Sequence, residues 1–161
     1  MFFSRKIARA KWEKAKELCG NPDNIDSFPA DTLTADLRTS ENTLSIWCVE
    51  DLDDVVLAMM SNEQSKLETI SILYFEDINE LKTHDTPGNT KIEELKSKHK
   101  DIYDLNYKEL GTVAKKFLKA YVNNKYKTYY KKDIQKVLND SIRKKRVDKT
   151  IFNESIRVAL N

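Results

Sequence analysis

Two apolar stretches of the sequence each end in a Glu-Asp pair. The stretch "SIWCVED" ends in Glu50 and Asp51, and "SILYFED" ends in Glu76 and Asp77. Four carboxylates in one place would supply the hard oxygen ligands that Mg²⁺ prefers, alongside waters and substrate phosphates. A magnesium-dependent nuclease or phosphotransferase can be built on such a group. The chemistry therefore depends on whether the two pairs meet in the fold.

The elements that carry these pairs are two buried strands joined by a helix. The segments "LSIWCV" at 44–49 and "ISILYF" at 70–75 are apolar or β-branched at nearly every position, which is typical of strands covered on both faces. Between them, apolar residues from Leu52 to Met60 recur at helical spacing. A helical crossover predicts parallel, neighbouring strands, whose carboxyl ends share one edge of the sheet.

Helix capping explains much of the same acidic pattern without a metal. Asp51 and Asp77 each stand where a helix is expected to begin, and each has another acid three residues later. Only Glu50 and Glu76 are then left without a structural role. The three glycines of the chain form no phosphate-binding loop. A metal site at Glu50, Asp51, Glu76 and Asp77 is therefore the alternative hypothesis, and the leading one requires no cofactor.

Lysines and tyrosines interleave in the C-terminal half of the chain. In "NNKYKTYYKKDIQK" the cations suit phosphates and the rings suit bases, a combination typical of single-stranded nucleic-acid binding. Helical projection places Lys132, Lys136, Asn139 and Arg143 in one stripe, opposite an apolar face. Solvated lysines and tyrosines packed on a core edge are the simpler explanation. The predicted binding residues for nucleic acid or an acidic partner are Lys125, Tyr126, Lys127, Tyr129, Tyr130, Lys132, Lys136, Arg143, Lys144, Lys145 and Arg146.

The two halves of the chain carry opposite charge. Residues 1–90 hold 9 Lys/Arg and 17 Asp/Glu, a balance of −8, whereas residues 91–161 hold 19 and 9, a balance of +10. The first 16 residues are a basic exception within the acidic half. This asymmetry predicts two surfaces with different partners, or a basic half that attracts the acidic half of its own chain or of another copy. If the basic half binds the acidic half of another copy, the protein forms a homo-oligomer.

Length and composition narrow the class of protein. A chain of 161 residues with 40% hydrophobic residues can bury the core of one domain with an appendage. Two cysteines without metal-ligand spacing predict neither a disulfide framework nor a zinc site, and favour the cytoplasm. No apolar run is long enough to span a membrane or to serve as a signal peptide. His84 and His99 have no supporting catalytic motif.

We therefore expect an α+β fold: a small βαβ-containing sheet with flanking helices, followed by a C-terminal helical region. An acidic α/β part at 1–82 is predicted to precede a linker at 83–90 and a basic helical part at 91–161. The basic segment from Phe2 to Ala10 is expected to form an edge strand, and an extension of the helix that follows it is the alternative. Helices are expected at 12–20, 29–38, 107–122, 129–145 and from 149 onward. The helix over 12–20 is expected to end at Gly20, and Asn106 is expected to cap the helix over 107–122.

The function predicted from these features is a non-enzymatic interaction or accessory module in a bacterial multi-protein system, for example a defence or toxin-related system. Its acidic part would dock a protein partner, and its basic helices would contact nucleic acid or an acidic surface. The competing hypothesis from the enzyme class is the magnesium-dependent nuclease or phosphotransferase described above.

Overall fold

Six strands form a single sheet in the computed structural model, which describes residues 1–18 and 24–160. The strands are β1 (Phe2–Ile7), β2 (Leu44–Val49), β3 (Ile70–Phe75), β4 (Thr83–Asp85), β5 (His99–Ile102) and β6 (Tyr126–Tyr129). The helices are α1 (Arg9–Leu18), α2 (Asp31–Thr34), α3 (Leu52–Met60), α4 (Glu93–Lys96), α5 (Tyr107–Val122), α6 (Lys131–Arg143) and α7 (Glu154–Ala159). Short 3₁₀ turns lie at Ile25–Ser27 and Lys149–Ile151. The α+β class, with flanking and C-terminal helices, is confirmed.

The order of strands across the sheet is β4-β5-β2-β1-β3-β6, and all neighbouring pairs are antiparallel. Phe3 pairs with Cys48 of β2 on one side and with Phe75 of β3 on the other. Because β2 and β3 are both antiparallel to β1, they run parallel to each other. The prediction that they are neighbours is wrong, since β1 lies between them. The expected edge position of β1 is wrong for the same reason.

A basic strand, β1, can occupy the centre of this sheet because each of its cations has hydrogen-bond or ion-pair partners of its own. The Arg5 guanidinium donates through Nε to the carbonyl oxygen of Asp36 at 2.8 Å and through Nη1 to the carbonyl of Ser45. Burial lowers the pKa of Arg5, and the charges of Asp36 and Asp101 oppose that effect. Lys6 reaches solvent and pairs with Glu68 at 3.3 Å. The strand therefore joins the sheet without leaving an isolated buried charge.

Helices cover both faces of the sheet and produce two cores. Alternate residues of a strand point to opposite faces, so Ile72 enters one core and Leu73 enters the other. The first core gathers apolar residues of α3, α6 and α7. The second gathers residues of α1 and α5, including the fully buried Trp12 and Phe117. The sheet is thus the middle layer of three.

Side-chain caps begin two of the helices as the sequence predicts. Asp51 accepts a hydrogen bond from the backbone N–H of Asp53 at 2.9 Å, and Asn106 accepts from Lys108 and Glu109. The predicted cap at Asp77 is wrong, because a turn follows β3 and Asp77 accepts from Asn79 within that turn. The predicted helix end at Gly20 lies outside the described residues.

Three short strands were not expected from the sequence. Strand β4 falls inside the predicted linker, and β5 and β6 fall inside the region expected to be helical. The predicted helix over 29–38 is reduced to α2, and the helix expected from residue 149 begins as a 3₁₀ turn before α7. The boundary at 83–90 stays a prediction, and strands from both sides of it belong to one sheet. Within the two ranges that the structure covers, no helix is long and apolar enough to cross a membrane.

Candidate functional site

The two Glu-Asp pairs lie at the same end of the sheet but on either side of β1. Glu50 and Asp51 follow β2, and Glu76 and Asp77 follow β3. Two strand spacings separate β2 from β3, which is roughly 10 Å. That separation is large for one magnesium ion to be ligated directly by both pairs. The neighbourhood on which the metal hypothesis rested is therefore absent.

Three of these four carboxylates have partners of their own. Glu76 pairs with Lys125 at 3.5 Å, and Asp77 lies 3.6 Å from the amine of Lys116. The backbone N–H of Asn79, assisted by Lys116, lowers the pKa of Asp77. Asp51 caps α3, and of these four exposed carboxylates only Glu50 has no hydrogen bond or ion pair within the described residues. Across residues 1–18 and 24–160, no group of three or more His, Cys, Asp or Glu side chains is arranged to hold a metal ion.

Strand β6 directs its lysine and tyrosine towards the acidic start of α3. The ring of Tyr129 is 1% exposed, and its hydroxyl donates to Oδ1 of Asp53 at 2.6 Å. The amine of Lys127 donates to the same oxygen at 3.1 Å and lies 4.3 Å from the centroid of the Tyr129 ring. Burial, followed by the bond to Asp53, raises the pKa of Tyr129. This tyrosine is a packed structural residue and offers no open face to a base.

Arg146 makes a second connection between the basic half and the acidic half. Its Nη1 donates to Asp54 at 2.5 Å, and its Nε donates to Glu94 at 2.6 Å. Hydrogen bonding to Asp54 is the largest cause of the raised pKa of Arg146, and burial opposes it. Together with Lys125 and Lys127, this arginine neutralises carboxylates of its own chain. The attraction between the two halves therefore operates within one molecule.

The two remaining tyrosines of the predicted set differ in exposure. Tyr126 stacks on Tyr121, with ring centroids 5.1 Å apart, and the guanidinium of Arg9 lies 5.4 Å from its centroid. Tyr130 is 58% exposed and stands at the N-cap of α6, where its N–H donates to Asp133 at 2.9 Å. Of the three predicted tyrosines, Tyr130 is the exposed one.

The other predicted cations stay on the surface. They lie on α6 and directly after it, and we call them the α6 basic surface: Lys132, Lys136, Arg143, Lys144 and Lys145. Among the described residues, Arg143 pairs only with Asp140 of its own helix, at 2.7 Å. The four lysines have no ion-pair partner in the part of the chain that the structure describes. Lys136 and Lys144 also line a cleft of about 370 Å³ beside the start of α3.

The end of α6 holds one of these lysines in an unusual backbone conformation. Lys145 has a φ of 55°, in the left-handed region where glycine is the usual residue. Its N–H donates to the carbonyl of Ile142, and the N–H of Arg146 donates to that of Ser141. These two bonds form a Schellman motif. Three consecutive cations, from Arg143 to Lys145, are thereby placed at the helix end.

Arg9 is a binding candidate that the sequence did not single out. Its Nη1 donates to Oγ1 of Thr128 on β6 at 2.8 Å, so α1 and the β6 edge meet. The basic character of the first 16 residues was the available signal, and the pairing of β6 with β3 was the missing information. Comparisons of the chain with protein-family models, curated proteins and solved structures find no match.

Proposed function

We propose that this protein is a nucleic-acid-binding interaction module and that the α6 basic surface contacts the phosphate backbone. The supporting observation is the distribution of charge after internal pairing. Lys125, Lys127 and Arg146 are engaged by carboxylates of the same chain, whereas the lysines of the α6 basic surface stay exposed. Lysine-phosphate contacts release counterions, which drives association at moderate salt.

The internal ion pairs favour this function in a second way. Asp53, Asp54 and Glu76 lie next to basic side chains, so their charges are partly offset near the bound polyanion. An unpaired acidic patch beside the surface would repel phosphates. The same pairing leaves fewer free carboxylates for the protein partner that the charge segregation predicts. We therefore propose nucleic-acid binding as the first function, and docking of a protein partner to the acidic part of the chain as the second.

The strained position of Lys145 also supports a binding role. A non-glycine residue in the left-handed region costs about 1 kcal/mol or more relative to glycine. Such strain is often retained where a side chain is needed. Here the side chain supplies a third consecutive cation beside Arg143 and Lys144. No comparable observation favours the magnesium enzyme.

Fluorescence anisotropy with labelled single- and double-stranded DNA and RNA, across a salt series, tests this proposal. Reversing two charges in Lys132→Glu/Lys136→Glu is expected to weaken binding at least about tenfold at low salt and to reduce the salt slope by about 1 to 2. The matched control is Lys108→Glu/Lys119→Glu, which changes the net charge equally on exposed positions of α5. Equal weakening by both variants, or no binding to any of the four probes, would overturn the proposal.

A further inference from the structure

A groove lies between the start of α1 and strand β6. Helix α1 packs on the face of the sheet opposite to α6. The volume of the groove is about 650 Å³, and its lining includes Lys6, Arg9, Lys11, Thr128 and Tyr130. Three cations line it, and the carboxylates beside them are Glu13, which pairs with Arg9 at 2.6 Å, and Glu68, which pairs with Lys6 at 3.3 Å. Lys11 is exposed, and no ion pair to it occurs within the described ranges.

Arg9 lines this groove, and its guanidinium contacts Glu13, Thr128 and Tyr126. Its Nη1 donates to Thr128, whose hydroxyl also bonds to Ser71 of β3 at 2.8 Å. Its guanidinium lies over the ring of Tyr126. A guanidinium fixed in this way loses little conformational entropy when it contacts a phosphate. Carboxylates offset the charges of Arg9 and Lys6, so the net positive charge of the groove comes from Lys11, which lies beside a guanidinium that is already oriented.

Tyr130 connects the groove to the α6 basic surface. It lines the groove, it follows β6 directly, and it begins the helix that carries Lys132 and Lys136. Tyr130 is 58% exposed, and its backbone N–H donates a hydrogen bond to Asp133. An exposed aromatic ring between two groups of cations matches the alternation of bases and phosphates along a strand.

The path across these residues bends around the edge of the sheet. Strand β6 is the last strand on its side, α6 packs in the core on one face, and α1 packs in the core on the other. Duplex DNA is stiff, with a persistence length of about 50 nm. Bending a duplex around this edge would therefore cost on the order of 1–6 kcal/mol. A single strand follows the bend freely and presents its bases to Tyr130.

We propose that single-stranded nucleic acid binds along this path, from the α6 basic surface over the ring of Tyr130 to Arg9 and Lys11 in the α1–β6 groove. This inference rests on the proposed function and specifies its substrate class. It adds the N-terminal helix to the binding surface. It also assigns base stacking to one tyrosine, Tyr130, because Tyr129 is buried and Tyr126 is covered by Tyr121 and Arg9.

The test compares oligothymidylates of about 5 and about 15 nucleotides with a duplex of the longer length. The variant Lys11→Glu/Tyr130→Ala is expected to weaken binding of the longer single strand at least about tenfold, because stacking and one phosphate contact are lost. Binding of the shorter strand, which the α6 basic surface can hold alone, is expected to change less than threefold or so. Tyr130→Trp is expected to retain the affinity of the unmodified protein.

The matched control is Tyr107→Ala/Lys108→Glu, which removes an exposed ring and a cation from α5. If the α6 charge reversals weaken binding but Lys11→Glu/Tyr130→Ala behaves like this control, the path is wrong and the proposed function stands. If the duplex binds as tightly as the longer single strand, the substrate class is wrong. If none of these oligonucleotides binds and the DNA and RNA probes of the salt series do not bind either, the path and the proposed function fail together. Unfolding curves of each variant confirm that it is folded.

Discussion

At the scale of single residues, the alternating side chains of β6 point to opposite faces of the sheet and make different contacts there. Along β6, Lys127 and Tyr129 point to one face of the sheet and pair with Asp53. Tyr126 and Thr128 point to the other face and meet Arg9. A period of two is the signature of a strand, so the same letters could have predicted β6. Residues 126–128 were predicted only as part of a helical region, because a polar run of four residues is a weak strand signal.

Removing the hydroxyl of Tyr129 tests its structural role. Tyr129→Phe is expected to lower the free energy of unfolding by about 1–2 kcal/mol, because a hydrogen bond to a charged acceptor is lost. Nucleic-acid affinity is expected to stay unchanged. Urea unfolding and anisotropy measure the two quantities. Weaker binding without a loss of stability would show that Tyr129 contacts the ligand after all.

The raised pKa of Tyr129, together with the pKa of Tyr121, which burial raises to about 12, predicts alkaline sensitivity. Both phenols bind their protons more tightly in the folded protein than in the unfolded chain. Their contribution to the free energy of unfolding is fully present below the unfolded pKa of about 10. It is lost as the pH rises above that value. Stability should therefore fall above about pH 10 and fall less steeply in Tyr129→Phe. An identical slope in both proteins would contradict the assignment.

Two glycines give a matched pair of opposite predictions. A Cβ on Gly88 would lie 2.6 Å from Cη2 of Trp47 and 3.0 Å from Cβ of His99, so Gly88→Ala is expected to cost about 1–3 kcal/mol. A Cβ on Gly111 meets nothing within 4 Å, and this glycine lies inside α5. Gly111→Ala is therefore expected to stabilise the protein by about 0.5–1 kcal/mol. Thermal unfolding of the two variants provides the comparison.

At the scale of elements, the apolar strands and the long helices were predicted well, and their arrangement was not. The bounds of β2 and β3 follow from unbroken apolar runs, and α5 follows from periodic residues after Asn106. The position of β1 could not be predicted, because a segment with Arg5 and Lys6 resembles an exposed edge. Carbonyl acceptors for Arg5 come from Asp36 and Ser45, which are distant in sequence.

Two variants of Asp51, at the start of α3, distinguish a helix-capping role from metal binding. Asp51→Asn keeps a side-chain oxygen that can accept the N–H of Asp53, whereas Asp51→Ala removes it. We expect stability to change by a few tenths of a kcal/mol in the first variant and to fall by about 1 kcal/mol in the second. Chemical denaturation measures both effects. Added Mg²⁺ that stabilised the unmodified protein but not Asp51→Asn would instead favour the metal hypothesis.

The end of α6 is expected to show a trade between stability and binding. Lys145→Gly relieves the left-handed strain and should raise the free energy of unfolding by about 1 kcal/mol. The same change removes one cation of the α6 basic surface and should weaken nucleic-acid binding several-fold. Lys145→Asn, which tolerates this backbone conformation but lacks the charge, controls for the helix end. A glycine variant that binds normally would mean that Lys145 contacts no phosphate.

At the scale of the whole molecule, opposite charges of the two halves are joined in one structure. Carboxylates of residues 1–90 pair with cations of residues 91–161 at Lys116, Lys125, Lys127 and Arg146. Each exposed pair contributes little, about 0–1 kcal/mol, so the apolar contacts must hold the halves together. Both cores indeed contain residues from each half, such as Ile72 with Leu138 and Leu73 with Phe117.

These shared cores predict a single unfolding transition for the chain. Fluorescence of Trp12 and Trp47 and the far-ultraviolet circular dichroism should change together in urea. Increasing salt should shift the midpoint only slightly, because the exposed ion pairs are weak. Two separated transitions would indicate instead that the predicted boundary at 83–90 divides the chain into independent domains.

The central position of β1 also affects how the chain acquires its structure. Its partner strands begin at residues 44 and 70, so every ladder contact of β1 closes a long loop. Contacts between residues far apart in sequence slow folding. During synthesis from the N-terminus, Phe2–Ile7 must wait for Ile70–Phe75 before the sheet can form on both of its sides. A strand that is synthesised before both of its partners therefore depends on later residues for all of its ladder contacts.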